Sequence, residues 1–145
     1  MYDIVRERGC EILVDLNHEA RLPCTYDLVV DVGTLEHCFN VAQAAINMAS
    51  CVKRGGFIIH ENAFNWGNHG FYGLNPTWYE DFYSQNGFEI VTCKLVGRDG
   101  RSTDVSSTKH FRFLEAEVSV FAVAQRVETK EWEFPMQSKC KRSMR

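Results

Sequence analysis

The apolar residues of this chain follow two different periods, and each period predicts its own kind of element. Residues 26–32 (YDLVVDV) form a nearly continuous apolar run, which is typical of a strand buried on both faces of a parallel sheet. Residues 39–52 (FNVAQAAINMASCV) instead repeat apolar side chains at helical spacing and are rich in alanine. We therefore predict a central strand followed by the best helix of the chain, which the cations and glycines at 53–56 should end.

The other apolar runs complete a predicted order of β, β, α, β, α, β, β. Asn75 and Pro76 suit the N-cap and first position of a second helix, and Asn86 and Gly87 suit its end. A polar loop at 97–109 joins the last two strands, which should therefore pair antiparallel. The remaining predicted elements are a short helix at 2–8 and strands at 11–16, 57–60, 88–96 and 117–127.

Composition narrows the class of protein. A chain of 145 residues with 45% hydrophobic and 24% charged residues is expected to form one soluble globular domain. Its net charge of -3 argues against a nucleic-acid partner, and no apolar run is long enough for a membrane span. None of the six cysteines forms a C-x-x-C pair, and the charged N-terminus lacks the pattern of a signal peptide. We therefore expect reduced thiols and a cytoplasmic location.

Three stretches of the sequence together carry a family resemblance. They are YDLVVDVGTLEH at 26–37, VKRGGFIIH at 52–60 and NPTWYEDFYSQNGFEIV at 75–91. In this order and spacing they resemble the C-terminal part of class I S-adenosylmethionine-dependent methyltransferases. The first looks like that family's fourth strand and turn, the second like its glycine pair and fifth strand, and the third like the helix and strand that follow. The resemblance covers roughly residues 10 to 127.

The resemblance implies an α/β fold with a mainly parallel, Rossmann-like sheet and an antiparallel final strand. It also implies S-adenosyl-L-methionine as cofactor. The family's glycine-rich cofactor loop is absent, because no G-x-G pattern precedes Asp15. We therefore expect a truncated methyltransferase-like domain at 1–127 that lacks the first two strands, followed by a tail at 128–145. The strand at 11–16 should then close against residues 28–32, or the exposed edge should pair with another chain.

The resemblance places the cofactor at the ends of two strands. Asp15 looks like the acidic residue that holds the adenine amino group, although an aspartate here also suits a cap of the following turn. Gly33 would let the backbone approach the methionine part of the cofactor, or it serves the turn alone. Glu36 either contributes to the cofactor site or is explained by the stabilisation of an acid near a helix N-terminus. The predicted cofactor-binding residues are Asp15, Leu16, Asp31, Gly33, Thr34 and Glu36.

The part of the site that binds the methyl acceptor is predicted from the histidines, amides and aromatic residues near the same turn. His37 is the candidate catalytic residue, either as a base that takes a proton from the acceptor or as a wall of the pocket. The loop at 61–74 suits a small polar acceptor such as a sugar, which aromatic rings and amides bind well. The predicted acceptor-binding residues are His60, Asn62, Asn65, His69 and Tyr72. A metal site built from His37, His60, Glu61 and His69 is not predicted, because their spacing fits no compact motif.

The function that these patterns predict is transfer of a methyl group from S-adenosyl-L-methionine to an oxygen or nitrogen of a small polar acceptor. Two alternatives stay open at this point. The chain is a non-catalytic binding or interaction module, or it is a fragment of a longer enzyme. The expected partners are a small-molecule acceptor, with no nucleic acid and no membrane, and either a second copy of the chain or a missing N-terminal half.

Overall fold

The fold comes from a computed structural model that describes residues 1–105 and 116–141. Its strands are β1 (Tyr2–Asp3), β2 (Ile12–Leu13), β3 (Tyr26–Val32), β4 (Val52–Ala63), β5 (Phe88–Gly97), β6 (Ser102–Asp104) and β7 (Val118–Arg126). Its helices are α1 (Val41–Ser50), α2 (Pro76–Gln85) and α3 (Ser138–Lys141), and a single 3-10 turn spans Leu35–His37. Part of the predicted 97–109 loop lies outside the described residues.

The main sheet has five strands in the order β3-β4-β7-β5-β6. The β3–β4 ladder is parallel, and the β4–β7, β7–β5 and β5–β6 ladders are antiparallel. The predicted α/β class and the antiparallel pairing of the last two long strands are therefore confirmed. The described sheet is mixed and mostly antiparallel, because β7 inserts between β4 and β5. Strands β3, β4 and β5 still run in one direction, so β3 and β4 end at the same edge.

The N-terminal prediction is wrong in two respects. Residues 2–8 do not form a helix, because the Asp3 carboxylate accepts the backbone N–H groups of Ile4 and Val5 in a local turn. Strand β1 then pairs in parallel with β2, in a separate two-stranded sheet. The strand at 11–16 therefore does not close against β3, whose outer edge has no strand partner among the described residues.

Helix α1 and strand β4 meet differently from the prediction. Asn40 caps α1 by accepting the backbone N–H of Gln43, so the helix begins two residues later than expected. Strand β4 begins at Val52 and takes in the glycine pair that was expected to be a turn. Gly56 is required there, since a Cβ atom on it would lie 2.9 Å from the carbonyl oxygen of Asp27 on β3. Close contact between two strands, rather than a turn, explains this glycine.

Helix α2 agrees with its predicted signals. Asn75 accepts the backbone N–H of Thr77, Pro76 is the first residue, and the helix ends at Gln85. The chain after β7 then packs against this helix. Asn86 exchanges two hydrogen bonds with the backbone of Glu133, and the Trp132 ring stacks on Phe82 at 6.2 Å. Part of the predicted tail at 128–145 is therefore folded against α2.

The core lies on one face of the sheet. Helices α1 and α2 both cover the face that carries Ile58, Val120 and Ala122, and the buried residues form one cluster. On the opposite face Leu28, Val30 and Val32 are 52%, 57% and 64% exposed. The prediction that β3 is buried on both faces is therefore wrong for the described structure, and one apolar face of the sheet is left uncovered.

Candidate functional site

A buried polar network occupies the shared carboxyl end of β3 and β4. Asp31 and His60 are register partners, which brings their side chains together on the core face. One Asp31 oxygen, Oδ2, is 2.7 Å from His60 Nδ1 and accepts from Asn62 Nδ2 at 3.0 Å. The other oxygen accepts the Thr34 N–H at 3.1 Å. These bonds satisfy a carboxylate that is only 3% exposed.

The His60 ring connects the network to α2. A carboxylate can only accept, so His60 Nδ1 carries the hydrogen that faces Asp31. In the neutral ring Nε2 then accepts from the Tyr83 hydroxyl, 2.6 Å away. Burial, reinforced by the Asp31 charge, raises the pKa of Tyr83 well above its usual value. The three side chains resemble a catalytic triad in arrangement, but the His60 and Tyr83 side chains are fully buried in the core.

Glu36 is the second buried carboxylate of the network. Its Oε2 accepts from Asn62 Nδ2 at 2.8 Å, and its Oε1 accepts the Ala63 N–H at 3.2 Å. Asn62 therefore bridges the carboxylates of Asp31 and Glu36, while its own carbonyl oxygen accepts from the Tyr79 hydroxyl at 2.6 Å. Glu36 lies in the 3-10 turn before α1, not at the N-terminus of α1 itself. A helix-end charge is thus not what explains it.

A cleft of about 340 Å³ opens beside this network. It is bounded by the N-terminal segment on one side and by the turn after β3 on the other. It contains four of the six predicted cofactor-binding residues together with the predicted catalytic histidine. These are Asp15, Leu16, Gly33, Thr34 and His37. The other two predicted residues, Asp31 and Glu36, are buried and are not among the lining residues of the cleft.

Asp15 has the geometry of a turn cap. Its Oδ1 accepts the backbone N–H of Asn17 at 2.9 Å and the Asn17 side chain at 2.8 Å. These bonds, the backbone one first, hold the pKa of the Asp15 carboxyl below its usual value. The second oxygen, Oδ2, lies 3.7 Å from His18 Nε2 on an exposed surface. These contacts support the interpretation of Asp15 as a turn cap. Adenine binding by Asp15 stays a prediction.

Gly33 has a clear conformational role. Its φ is +69°, in the left-handed region, and its N–H donates to the Glu61 carbonyl at 3.0 Å. A Cβ atom on Gly33 would meet only Glu36 Oε1, at 3.8 Å, so backbone conformation rather than crowding requires glycine. The turn alone explains this residue, and close approach of a cofactor to it stays a prediction.

The predicted acceptor residues divide into three groups. His60 and Asn62 are buried inside the network instead of lying at a pocket rim. Asn65 ties its loop to β7 through the backbone of Ala116 and Val118, and the Tyr72 hydroxyl donates to the Phe39 carbonyl, so both are fixed by local bonds. His69 lies beside His37, with ring centroids 4.8 Å apart, at the surface next to the network. Acceptor binding by all five stays a prediction.

Sequence reasoning missed that Glu36, His37 and His69 come together. One ligand atom from each lies within 4.8 Å of the others. His69 is distant in sequence, but Phe71 N–H donates to the Glu36 carbonyl at 2.7 Å and folds the loop back. The sequence signal for this contact is Gly70, whose φ is +68° and whose missing side chain leaves room for Glu36. Tyr79 and Tyr83 were also missed, since buried tyrosines in a helix read as core packing.

Comparisons with known proteins leave the function to be argued from this site. No protein-family model matches the chain, and no curated protein matches it significantly. Within the described residues, no helix has the length and apolar character needed to cross a membrane.

Proposed function

We propose that this chain is a methyltransferase-like domain that binds S-adenosyl-L-methionine in the cleft beside Gly33. It transfers the methyl group to an oxygen or nitrogen of a small polar acceptor, with sugar-like molecules among the candidates. The observation that carries the proposal is that one cleft contains Asp15, Leu16, Gly33, Thr34 and His37. Its volume of about 340 Å³ falls within the range of roughly 300–1,000 Å³ that small-molecule sites occupy.

The direction of the strands supports the same proposal. In open α/β sheets, ligands bind outside the carboxyl ends of the strands. Strands β3, β4 and β5 run in one direction, and Gly33 and Thr34 directly follow the carboxyl end of β3. The cleft therefore lies where such folds place a ligand. Only one of the described ladders of the five-stranded sheet is parallel. That the sheet is of the Rossmann-like methyltransferase type is therefore part of the proposal.

The cleft offers suitable groups for parts of this cofactor. The exposed Asp15 carboxylate can accept hydrogen bonds from the adenine amino group, and Leu16 provides an apolar wall beside it. Hydrogen bonds to a charged group contribute about 1.5–3 kcal/mol each. Residues 1–14 contain no G-x-G pattern, so we expect weak binding from the cleft residues alone. Each lost contact of about 1.4 kcal/mol lowers affinity tenfold.

The proposed chemistry is an in-line displacement. When bound, the cofactor supplies an electrophilic methyl group on a sulfonium. The residues of the chain hold the acceptor in line with that methyl group and exclude water. His37, an exposed residue that lines the cleft, would accept the proton that the acceptor loses as its bond to the methyl carbon forms and the methyl–sulfur bond breaks, with S-adenosylhomocysteine as the leaving group. His69, with its ring against His37, limits the orientations that the His37 ring can adopt.

Calorimetry on the 145-residue chain tests the proposal. We expect S-adenosylhomocysteine, the product form of the cofactor, to give a measurable binding heat. Asp15→Asn should weaken this binding by roughly ten- to a hundredfold, because it removes one charge-assisted hydrogen bond. Asp104→Asn is the matched control, since Asp104 is an exposed aspartate on β6, at the opposite edge of the sheet. No heat at high micromolar ligand would overturn the proposal of an autonomous cofactor site.

A second candidate function is supported by the uncovered face of the sheet. Leu28, Val30 and Val32 are more than half exposed on a strand whose outer edge has no described strand partner. Exposed apolar edge strands are templates for pairing with another chain. The corresponding proposal is an interaction module in which β3 pairs with β3 of a second copy. It is tested by the oligomeric state of the protein in solution.

A further inference from the structure

We infer that Glu36, His37 and His69 form a binding site for one divalent transition-metal ion, with zinc as the best-suited ion. The three side chains meet where the 3-10 turn contacts the loop after β4. One oxygen or nitrogen from each lies within 4.8 Å of the others. This inference does not rest on methyl transfer, since metal binding is measured without cofactor or acceptor.

The backbone holds the three ligands together without an ion. Glu36 and His37 are adjacent in the 3-10 turn. His69 is brought to them by the hydrogen bond from Phe71 N–H to the Glu36 carbonyl, 2.7 Å long. A Cβ atom on Gly70 would lie 2.7 Å from that same carbonyl oxygen, so only glycine permits the contact. Such a preorganised arrangement lowers the entropic cost of binding an ion.

The donor set fits zinc and its neighbours in the first transition row. Zinc sites that keep an open position for water or substrate commonly use two histidines and one glutamate. Magnesium and calcium instead prefer sites made of oxygen ligands alone. Zinc bonds of about 2.0–2.2 Å hold neighbouring ligand atoms roughly 3.0–3.6 Å apart. Glu36 Oε1 and His69 Nε2 are already 3.7 Å apart, and the exposed His37 ring lies against the His69 ring, with ring centroids 4.8 Å apart.

Charge gives an independent reason for a cation here. The Glu36 side chain is 1% exposed, and its two hydrogen-bond donors, Asn62 and the Ala63 amide, are both neutral. The Asn62 amide donates one N–H to Glu36 and the other to Asp31, so among the described residues no charged donor compensates Glu36. Buried carboxylates are costly unless a positive charge or sufficient donors compensate them. An ion between Glu36 and the two histidines supplies that charge.

Asn62 also acts as an orienting partner. It donates to Glu36 Oε2 at 2.8 Å, while Oε1 accepts the Ala63 N–H at 3.2 Å and lies 3.7 Å from His69 Nε2. Hydrogen bonds of this kind from a second layer of residues fix the orientation of metal ligands in proteins. Direct pairing of His69 with Glu36, 3.7 Å apart, is the competing explanation. It predicts no metal affinity, so a metal titration separates the two.

The test is a titration of the metal-stripped, full-length chain with Co²⁺, followed by displacement with Zn²⁺. We expect one equivalent of Co²⁺ to give visible absorption bands, and Zn²⁺ to remove them and raise the melting temperature. His37→Asn and His69→Asn should each weaken Co²⁺ binding at least tenfold. His18→Asn is the control, because its ring is exposed and lies outside the cluster, and it should leave the affinity unchanged.

Three outcomes would overturn the inference. The first is the absence of cobalt bands at a millimolar ion concentration. The second is binding that survives in the His37→Asn, His69→Asn double variant. The third is a strong charge-transfer band from sulfur to cobalt, which would show that cysteines hold the ion. Glu36→Gln should also lose binding, but because Glu36 is buried the surface histidine variants decide the matter if that protein fails to fold.

The result also bears on the proposed mechanism. A bound ion takes the His37 nitrogen that would otherwise accept a proton, so one nitrogen cannot serve both roles. Binding of S-adenosylhomocysteine without metal binding would leave the cofactor proposal in place and end this one. Metal binding without S-adenosylhomocysteine binding would do the reverse. The two proposals therefore fail independently.

Discussion

At the residue scale, Asn62 is the side chain on which the buried network depends most. It donates to Asp31 and Glu36 and accepts from the Tyr79 hydroxyl. Asn62→Ala leaves all three groups short of a partner, and each buried unsatisfied group costs about 1–3 kcal/mol. We expect the free energy of unfolding in urea to fall by about 3 kcal/mol or more. Asn65→Ala, which removes two exposed hydrogen bonds, should cost about 1 kcal/mol. Equal losses in the two variants would contradict a central role for Asn62.

Burial of cysteine gives a second prediction at this scale. Burial raises the pKa of the Cys93 thiol to about 12, so very little of it is thiolate at pH 8. The unfolded thiol titrates near 8.5, so stability from this group is complete below that pH and is lost as the pH rises towards 12. A thiol reagent at pH 8 should therefore modify the exposed cysteines quickly and the buried ones only after denaturation. The exposed cysteines are Cys10, Cys24 and Cys140, and the buried ones are Cys38, Cys51 and Cys93. A single rate for all six would contradict the burial of Cys93.

The roles of individual residues could be predicted only in part from the sequence. Asn75 and Pro76 act where their local chemistry placed them, because a helix cap is set by neighbours in sequence. His60 was placed at a pocket rim and is buried, since the alternation of a strand does not say which face helices will cover. Asp31 is bonded to His60 and Asn62, which are about thirty positions away in sequence. A local sequence pattern does not identify such distant partners.

At the element scale, the loop that carries His69 depends on Gly70. Alanine there would need a φ of +68° and would press its Cβ to 2.7 Å from the Glu36 carbonyl oxygen. We expect Gly70→Ala to lower the free energy of unfolding by about 1–3 kcal/mol and to weaken Co²⁺ binding. Gly67→Ala, in the same loop, has no atom within 4 Å of the added Cβ and should be close to neutral. Similar stabilities for the two variants would show that the loop does not need this turn.

Strand β3 gives the second prediction at the element scale. If its edge pairs with a second copy, Val30→Lys should shift the protein from dimer to monomer in sedimentation equilibrium, because a lysine on an exposed edge disfavours pairing. Val91→Lys is the matched control, since Val91 is also 57% exposed but lies on β5, between two other strands. Wild-type protein that stays monomeric at high concentration would exclude this pairing.

Periodicity identified most elements but not their partners. Helix α2 and strands β5 and β7 lie close to their predicted positions, because their signals are local. Strand β4 begins five residues before the predicted 57–60 strand, since pairing with β3 and β7 keeps the chain extended through the glycine pair. Pairing with neighbouring strands thus outweighed the local preference of the glycine pair for a turn.

At the scale of the whole molecule, the sheet separates two kinds of surface. One face is covered by α1 and α2 and ends in the buried network, with the cleft beside it. The other face and the outer edge of β3 are uncovered in the described structure. The α/β class followed from the order of elements, but the mixed sheet did not. Whether β7 lies at an edge or between two earlier strands is a matter of topology that strand periodicity does not encode.

Binding of the cofactor in the cleft is tested by amide chemical-shift mapping. Unlabelled S-adenosylhomocysteine is titrated into ¹⁵N-labelled protein while the backbone amide signals are followed. We expect saturable shifts that concentrate at Asp15, Leu16, Gly33, Thr34 and His37, with little change in β6 at the far edge of the sheet. No shift at millimolar ligand, or shifts confined to residues outside the cleft, would contradict it.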